Sequence, residues 1–163
     1  MSQTTTEPLT LNAVVSNVLA EIHRRVTRGI EVEFDLCGDA APVDADADEL
    51  LRVLLHLFDN ACDAMPAGGT VLIQTREIEL VSATAAGRPQ AFSRLSVADT
   101  GYGIPPVNQP RIFDPRFTTK PGRAGLGLTT AGGIVTRFGG FLDFTSAIGA
   151  GTVFHVYLPG GRV

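Results

Sequence analysis

Five prolines fall between residues 104 and 124, at Pro105, Pro106, Pro110, Pro115 and Pro121. A proline has no backbone N–H and a fixed φ, so neither a helix nor an inner strand persists through that spacing. The chain has 163 residues, the size of one domain with a single core. An irregular segment this long is uncommon in such a domain, and where it occurs it usually lines or covers a binding site. The sequence therefore predicts chemistry under a lid, with regular elements on either side.

Those elements are legible in the apolar periodicity. Leu11, Val14, Val15, Val18, Leu19 and Ile22 follow helical spacing up to a stop at Gly29. Ile30, Val32, Phe34 and Leu36 alternate with Glu31, Glu33 and Asp35, the pattern of a half-buried strand. Asp46 and Glu49 form a capping-box pair ahead of a helix that runs to about Met65 and ends at Pro66 and Gly68-Gly69. Residues 70–80 and 92–99 read as strands, and 141–146 with 152–158 as a closing hairpin. A third helix opens at Gly125-Leu126-Gly127-Leu128 and runs to about Phe138. Gly132 and Gly133 inside it each cost about 1 kcal/mol against Ala, which predicts tight packing on a neighbour. Residues 1–8 read as a tail or linker stump, and 9–163 as the domain.

Charge and composition exclude several classes. Residues 1–99 carry 7 basic and 15 acidic groups and 100–163 carry 6 and 2, so the halves stand at −8 and +4. That argues against nucleic acid over the whole surface and leaves the second half suited to a small anion. Twelve of the 13 bases are Arg; the single Lys is Lys120, inside the proline-rich segment. No apolar run approaches the roughly 18 residues of a membrane span, and the N-terminus has no signal-peptide pattern, so a cytoplasmic location without direct membrane contact is expected. Cys37 and Cys62 lie far apart, and His23, His56 and His155 give no zinc spacing. Two reduced, buried thiols are expected.

The polar residues set apart from the core suggest a site. Arg52, His56, Asn60 and Asp63 form one stripe on the second helix, flanked by Val53, Leu55, Phe58 and Cys62; it is either a solvated face or a cavity wall. Asp99 shares a strand face with Leu95 and Val97 just before Thr100-Gly101-Tyr102-Gly103. A carboxylate there either caps its own turn or accepts from a ligand donor. Gly125 and Gly127 ahead of a helix start form a plausible phosphate cradle. The P-loop, G-x-G-x-x-G, H-R-D and G-x-S-x-G patterns are all absent from the sequence.

Taken in order, HLFDNACDAMPAGG, VADTGYGIP, RIFDPRFTTK and AGLGLTTAGGIV resemble the four ATP-binding boxes of bacterial sensor histidine kinases. These belong to the superfamily of gyrase, heat-shock chaperone, histidine kinase and MutL ATPases. GAGTVFHVYLP is similar to the family's last hairpin, and the resemblance covers about residues 9–163. It implies an α/β two-layer sandwich of Bergerat type: a mixed, mostly antiparallel sheet of about five strands, three helices on one face, and an ATP lid. It also implies ATP and Mg²⁺ as cofactors, with Asn60 holding the metal and Asp99 accepting from the adenine amino group. Gly101, Gly103, Ile104 and Thr152 would surround the purine, and Asp63 belongs to the same nucleotide-binding set. Phe113, Phe117, Thr118, Thr119 and Lys120 match the lid, and Gly125, Leu126, Gly127 and Leu128 the segment over the triphosphate.

The departures carry information too. His56 stands where these kinases usually have Asn and the related hydrolases have the Glu that activates water, so it is a base, a second ligand or a structural residue. Arg116 replaces the lid's second Phe, and Arg123-Ala124 replace a common Gly-Thr. No acceptor histidine matches the family pattern, since His23 is followed by Arg24-Arg25. The resemblance therefore implies a catalytic domain without a general base of its own. It would donate the γ-phosphoryl of ATP to a His on a helical dimerisation domain, in a missing part of its own protein or another chain, and thence to a response regulator. Two alternatives follow from the departures: a degenerate nucleotide sensor without phosphotransfer, or a stand-alone ATPase or Ser kinase.

Overall fold

Alternation along the strands decides which face of the sheet is dry. A computed structural model describes residues 8–81, 87–121 and 125–160. Five strands, β1 (Ile30–Asp35), β2 (Gly69–Val81), β3 (Pro89–Asp99), β4 (Phe141–Ala147) and β5 (Gly151–Pro159), form one sheet in the order β1-β2-β3-β5-β4. β1 runs parallel to β2 and every other neighbour pair is antiparallel. Three helices, α1 (Leu11–Arg25), α2 (Ala47–Asp63) and α3 (Gly127–Arg137), lie on one side. This is the expected two-layer sandwich.

The dry face is built from every second residue. Val71 and Ile73 of β2, Leu95 and Val97 of β3, and Phe154, Val156 and Leu158 of β5 are all buried. They meet Leu50, Val53, Leu54, Leu57 and Phe58 of α2 in one continuous apolar cluster. The period-2 and period-3.6 patterns thus close on each other, as a helix layer over a half-buried sheet requires. Thr75, a polar side chain buried in that layer, is bonded. Its hydroxyl donates to Asn12 Oδ1 at 2.6 Å and accepts from the Cys37 backbone N–H at 3.0 Å. Cross-strand register then sets Asp99 beside Thr152 at the end of the sheet.

Four expectations change in detail. Asp46 caps α2 by accepting from the Glu49 N–H at 2.9 Å. The reciprocal half of the box is replaced, because the Glu49 carboxylate reaches instead to Arg137 of α3. α1 ends at Arg25, short of Gly29, because Val26 leaves helical ψ. Gly132 and Gly133 do not mark tight packing. A Cβ built on Gly132 approaches only Leu142, at 4.0 Å, and one on Gly133 meets nothing within 4 Å. The cysteines are free but half-buried rather than buried, and burial beside Asp59, Asp63 and Asp99 pushes the Cys62 thiol up to about 11, far from nucleophilic range. Residues 1–7 of the expected tail lie outside the described residues.

Candidate functional site

A cavity of about 320 Å³ opens at the end of β3 and β5, between the C-terminal half of α2 on one side and the proline-rich segment with the start of α3 on the other. Asp99 lies at its buried end, only 8% exposed. Both of its protein hydrogen bonds fall on Oδ1, from the N–H of Gly101 at 2.9 Å and of Thr152 at 3.2 Å. The first is the turn cap that the sequence allows. The second comes from the neighbouring strand, and Oδ2 has no recorded partner among the described residues. Burial pushes the Asp99 carboxyl above the usual range, against the two N–H groups and the Lys120 charge that lower it.

The turn after Asp99 is held open by close approaches. Gly103 has φ +76, and a Cβ there would sit 2.1 Å from the Ala147 carbonyl oxygen. Next to it, the Ile104 N–H donates to Ser146 Oγ at 2.8 Å, and Ser146 Oγ lies 2.8 Å from Thr152 Oγ1. The hydroxyl pair ties the β4–β5 hairpin to the cavity rim. Gly103, Ile104 and Thr152 all line the cavity, whereas Gly101 does not. Its Cα is turned into Ala64, whose carbonyl oxygen a Cβ would meet at 2.4 Å.

The α2 side presents the predicted stripe in part. His56, Asn60 and Asp63 line the cavity; Arg52, one turn earlier, is exposed outside it. Helical spacing alone could not find that limit, which is set by where α3 begins to cover α2. The Lys120 ammonium, from the lid, donates to Asn60 Oδ1 at 3.3 Å and to Asp63 Oδ2 at 3.2 Å. His56 Nδ1 sits 3.5 Å from where a Gly127 Cβ would be, so the ring lies against the start of α3. Burial holds its imidazole below the usual histidine range, with Asp59 pulling the other way.

Among its described residues the lid contains no regular element beyond a 3₁₀ turn at Gln109–Arg111. Ile112, Phe117, Thr118, Thr119 and Lys120 face the cavity. Phe113 does not. Its ring packs edge-on against Phe144 at 5.8 Å, and its carbonyl accepts from Thr129 Oγ1, so it anchors the lid from below. Arg116 is exposed, adopts φ 64, and donates its N–H to the Gly125 carbonyl at 3.0 Å. The cation near the lid aromatics is instead Arg111, 4.5 Å over the Phe117 ring. Gly125, Leu126, Gly127 and Leu128 all line the cavity, and α3 begins without a side-chain cap, so its first N–H groups are open to an anion. Arg123 lies outside the described residues.

Sequence reasoning missed Asp59, Tyr102, Asn108 and Ser146. Tyr102 and Asn108 follow glycine and proline positions whose direction only the fold decides. Ser146 carries no signal in the sequence beyond its place in a strand.

An acceptor at one buried end, and an amide oxygen, an ammonium and an uncapped helix start at the other, suit a ligand with a flat polar head and a polyanionic tail. Together with the sandwich, they define an ATP-binding catalytic domain. The sequence profile of the histidine kinase-, DNA gyrase B-, and HSP90-like ATPases matches residues 45–162, and the chain belongs to that family. It is the ATP-binding catalytic domain of the sensor histidine kinase type. Curated relatives include a sensor kinase of Brucella abortus, CckA, 38% identical over 159 residues, covering 94% of this chain and 17% of that protein. The NtrB sensory histidine kinase/phosphatase of Rhizobium meliloti is 32% identical over 160 residues, covering 95% of this chain and 42% of its own length. This chain thus spans less than half of either relative. Among solved structures, the mycobacterial sensor histidine kinase MprB superposes with a TM-score of 0.77 at 30% identity, over 96% of this chain and 99% of that one. Full-length ShkA in complex with AMPPNP gives 0.71 at 26% identity, over 99% of this chain and 32% of that one. Among the described residues no helix is long and apolar enough to cross a membrane.

Proposed function

We propose that residues 9–163 bind Mg-ATP in this cavity and present its γ-phosphoryl group to a histidine on a helical phosphoacceptor domain, for relay to a response-regulator aspartate on the cytoplasmic side. The observation that carries the reading is the division of the cavity, with Asp99 at its buried end and Asn60, Lys120 and the open start of α3 at the other.

With Oδ1 fixed by two N–H groups, Asp99 offers its second oxygen to an exocyclic amine, and Thr152 and Gly103 shape the space beside it. At the other end, Asn60 Oδ1 already accepts from an ammonium, so it presents an oxygen to a cation, the donor type that Mg²⁺ takes. Bound there, Mg²⁺ would neutralise phosphate charge. The N–H groups at the start of α3 and the Lys120 ammonium would face the same anion, beneath the lid. Phosphoryl transfer needs positioning and charge stabilisation more than proton abstraction, so the absence of a carboxylate base at the position of His56 fits a kinase better than a hydrolase.

Calorimetric titration with a non-hydrolysable ATP analogue and Mg²⁺ tests this reading. Wild type should bind, Asp99→Asn should lose affinity, and Asn60→Ala should lose most of the Mg²⁺ dependence. Transfer of phosphate to an added acceptor hairpin then follows with ATP. Binding without transfer would make the domain a nucleotide sensor, and steady turnover without any partner would make it an ATPase. No binding at millimolar nucleotide overturns all three.

A further inference from the structure

The contact between Lys120 and α2 is more specific than a surface ion pair. Lys120 is the only lysine in the chain, and its ammonium bridges two oxygens one helical turn apart, Asn60 Oδ1 at 3.3 Å and Asp63 Oδ2 at 3.2 Å. Both members of the ion pair are 27% exposed at the side chain, so the bridge lies in the cavity mouth rather than in open solvent. It also joins the two walls, crossing from the lid to α2. The lid backbone around it is set independently, because Thr118 Oγ1 accepts from the Lys120 N–H at 3.0 Å. The side chain can therefore leave α2 without rebuilding the turn.

An ammonium and a metal ion compete for one amide oxygen. Mg²⁺ takes oxygen ligands at about 2.1 Å, and two cations on one oxygen repel at close range. A lysine ammonium is a compact point charge on a flexible stem, closer in kind to a small cation than the planar fork of arginine, the base used everywhere else in this chain.

We propose that the Lys120 ammonium is a built-in stand-in for the divalent cation. In the nucleotide-free protein it holds Asn60 and Asp63 and pins the lid to α2. A metal–nucleotide complex displaces it from Asn60, whereupon it turns to the phosphates. This inference rests on Asn60 as the metal's protein ligand. It predicts that Lys120 matters most when metal is scarce, because only then can it bridge α2 and the phosphates in the metal's place.

The test compares dissociation constants for the ATP analogue with saturating Mg²⁺ and with chelator present, in wild type, Lys120→Gln and Asn60→Ala. The ratio without metal to with metal should rise several-fold in Lys120→Gln. A lysine that merely adds a phosphate contact would weaken both conditions equally and leave the ratio unchanged, which overturns the proposal, as does a fall. In nucleotide-free protein, amide hydrogen exchange across residues 117–120 should speed up in Lys120→Gln; unchanged exchange overturns the latch. Asn60→Ala separates the two failures. If it leaves the Mg²⁺ effect intact, the assignment of the metal ligand is wrong. If it abolishes the effect while Lys120→Gln keeps the wild-type ratio, the ligand is right and the stand-in is wrong.

Discussion

The two walls of the cavity are built on different physics. The α2–β3 wall is held by burial: Val53, Leu54, Leu57 and Phe58 are fully enclosed, and Asp99 is fixed by N–H groups from two directions. The lid wall is held more by discrete contacts, among them Phe113 on Phe144, Arg116 on Gly125, and Lys120 on Asn60 and Asp63. Elements that must open for a ligand come from the low-stability end of a structure, and among the lid's described residues Ile112 alone is a buried hydrophobic, with Phe113 and Phe117 packed part-buried beside the core. The first wall should therefore fail by unfolding, and the second by losing ligand without unfolding.

Perturbations of decreasing size probe that division. Leu54→Ala, at a position with no exposure, should cost about 3 kcal/mol and lower the melting temperature by several degrees. A lid change such as Phe117→Ala should leave the melt of the empty protein nearly unmoved while weakening nucleotide. If Leu54→Ala melts like wild type, the contrast between the walls collapses.

Asp99→Asn tests whether the rigid wall holds a functional cost. The variant should lose about 2 kcal/mol of nucleotide affinity, roughly 30-fold, because an ionised acceptor becomes a neutral amide. Its melting temperature at neutral pH should not fall. Burial raises the folded-state pKa of Asp99, so the residue's contribution to stability is fully present below the ordinary carboxylate pKa and is lost as pH rises through the raised value. The variant escapes that loss, so its thermal advantage should appear as pH rises across that window and vanish in acid. Nucleotide affinity of wild type should fall as pH drops through the same window. A melt of Asp99→Asn well below wild type at pH 7 would show that the carboxylate is structural instead.

Smaller effects sharpen the lid side. Arg116→Gly removes a side chain from left-handed backbone and should stabilise the lid by about 1 kcal/mol, seen as slower amide exchange near residue 116. Gly133→Ala, where an added methyl meets nothing, should raise stability by somewhat under 1 kcal/mol in denaturant melts. A loss there would reveal an undetected close neighbour.

Legibility in the sequence follows the same division. The rigid wall could be read because periodicity is a property of elements: the helical spacing around Leu50 and Leu54 and the alternation through Val97 and Asp99 locate their faces directly. The lid could be recognised only as a place where no element can form. Which of its residues point inward depends on contacts absent from local pattern, so Phe113 turned out to be an anchor and Arg116 to point away, while Ile112 and Phe117 took the inner positions. The misreading of Gly132 and Gly133 has a similar cause. Glycine in a helix signals that a side chain is dispensable, and only the neighbours decide whether it is forbidden.

The strand order has a consequence in time. β5, near the end of the described chain, inserts between β3 and β4, and its Thr152 N–H supplies one of the two bonds that fix Asp99. As the chain leaves the ribosome, the Asp99 end of the pocket therefore cannot be complete until residues 151–159 have emerged, however well α2 and the lid have formed. Until then β3 presents an unpaired edge, the hazard that central strands carry when they are completed late. Nucleotide binding in this domain thus reports on a finished sheet, and a nascent chain competent for ATP has already passed its most aggregation-prone stage.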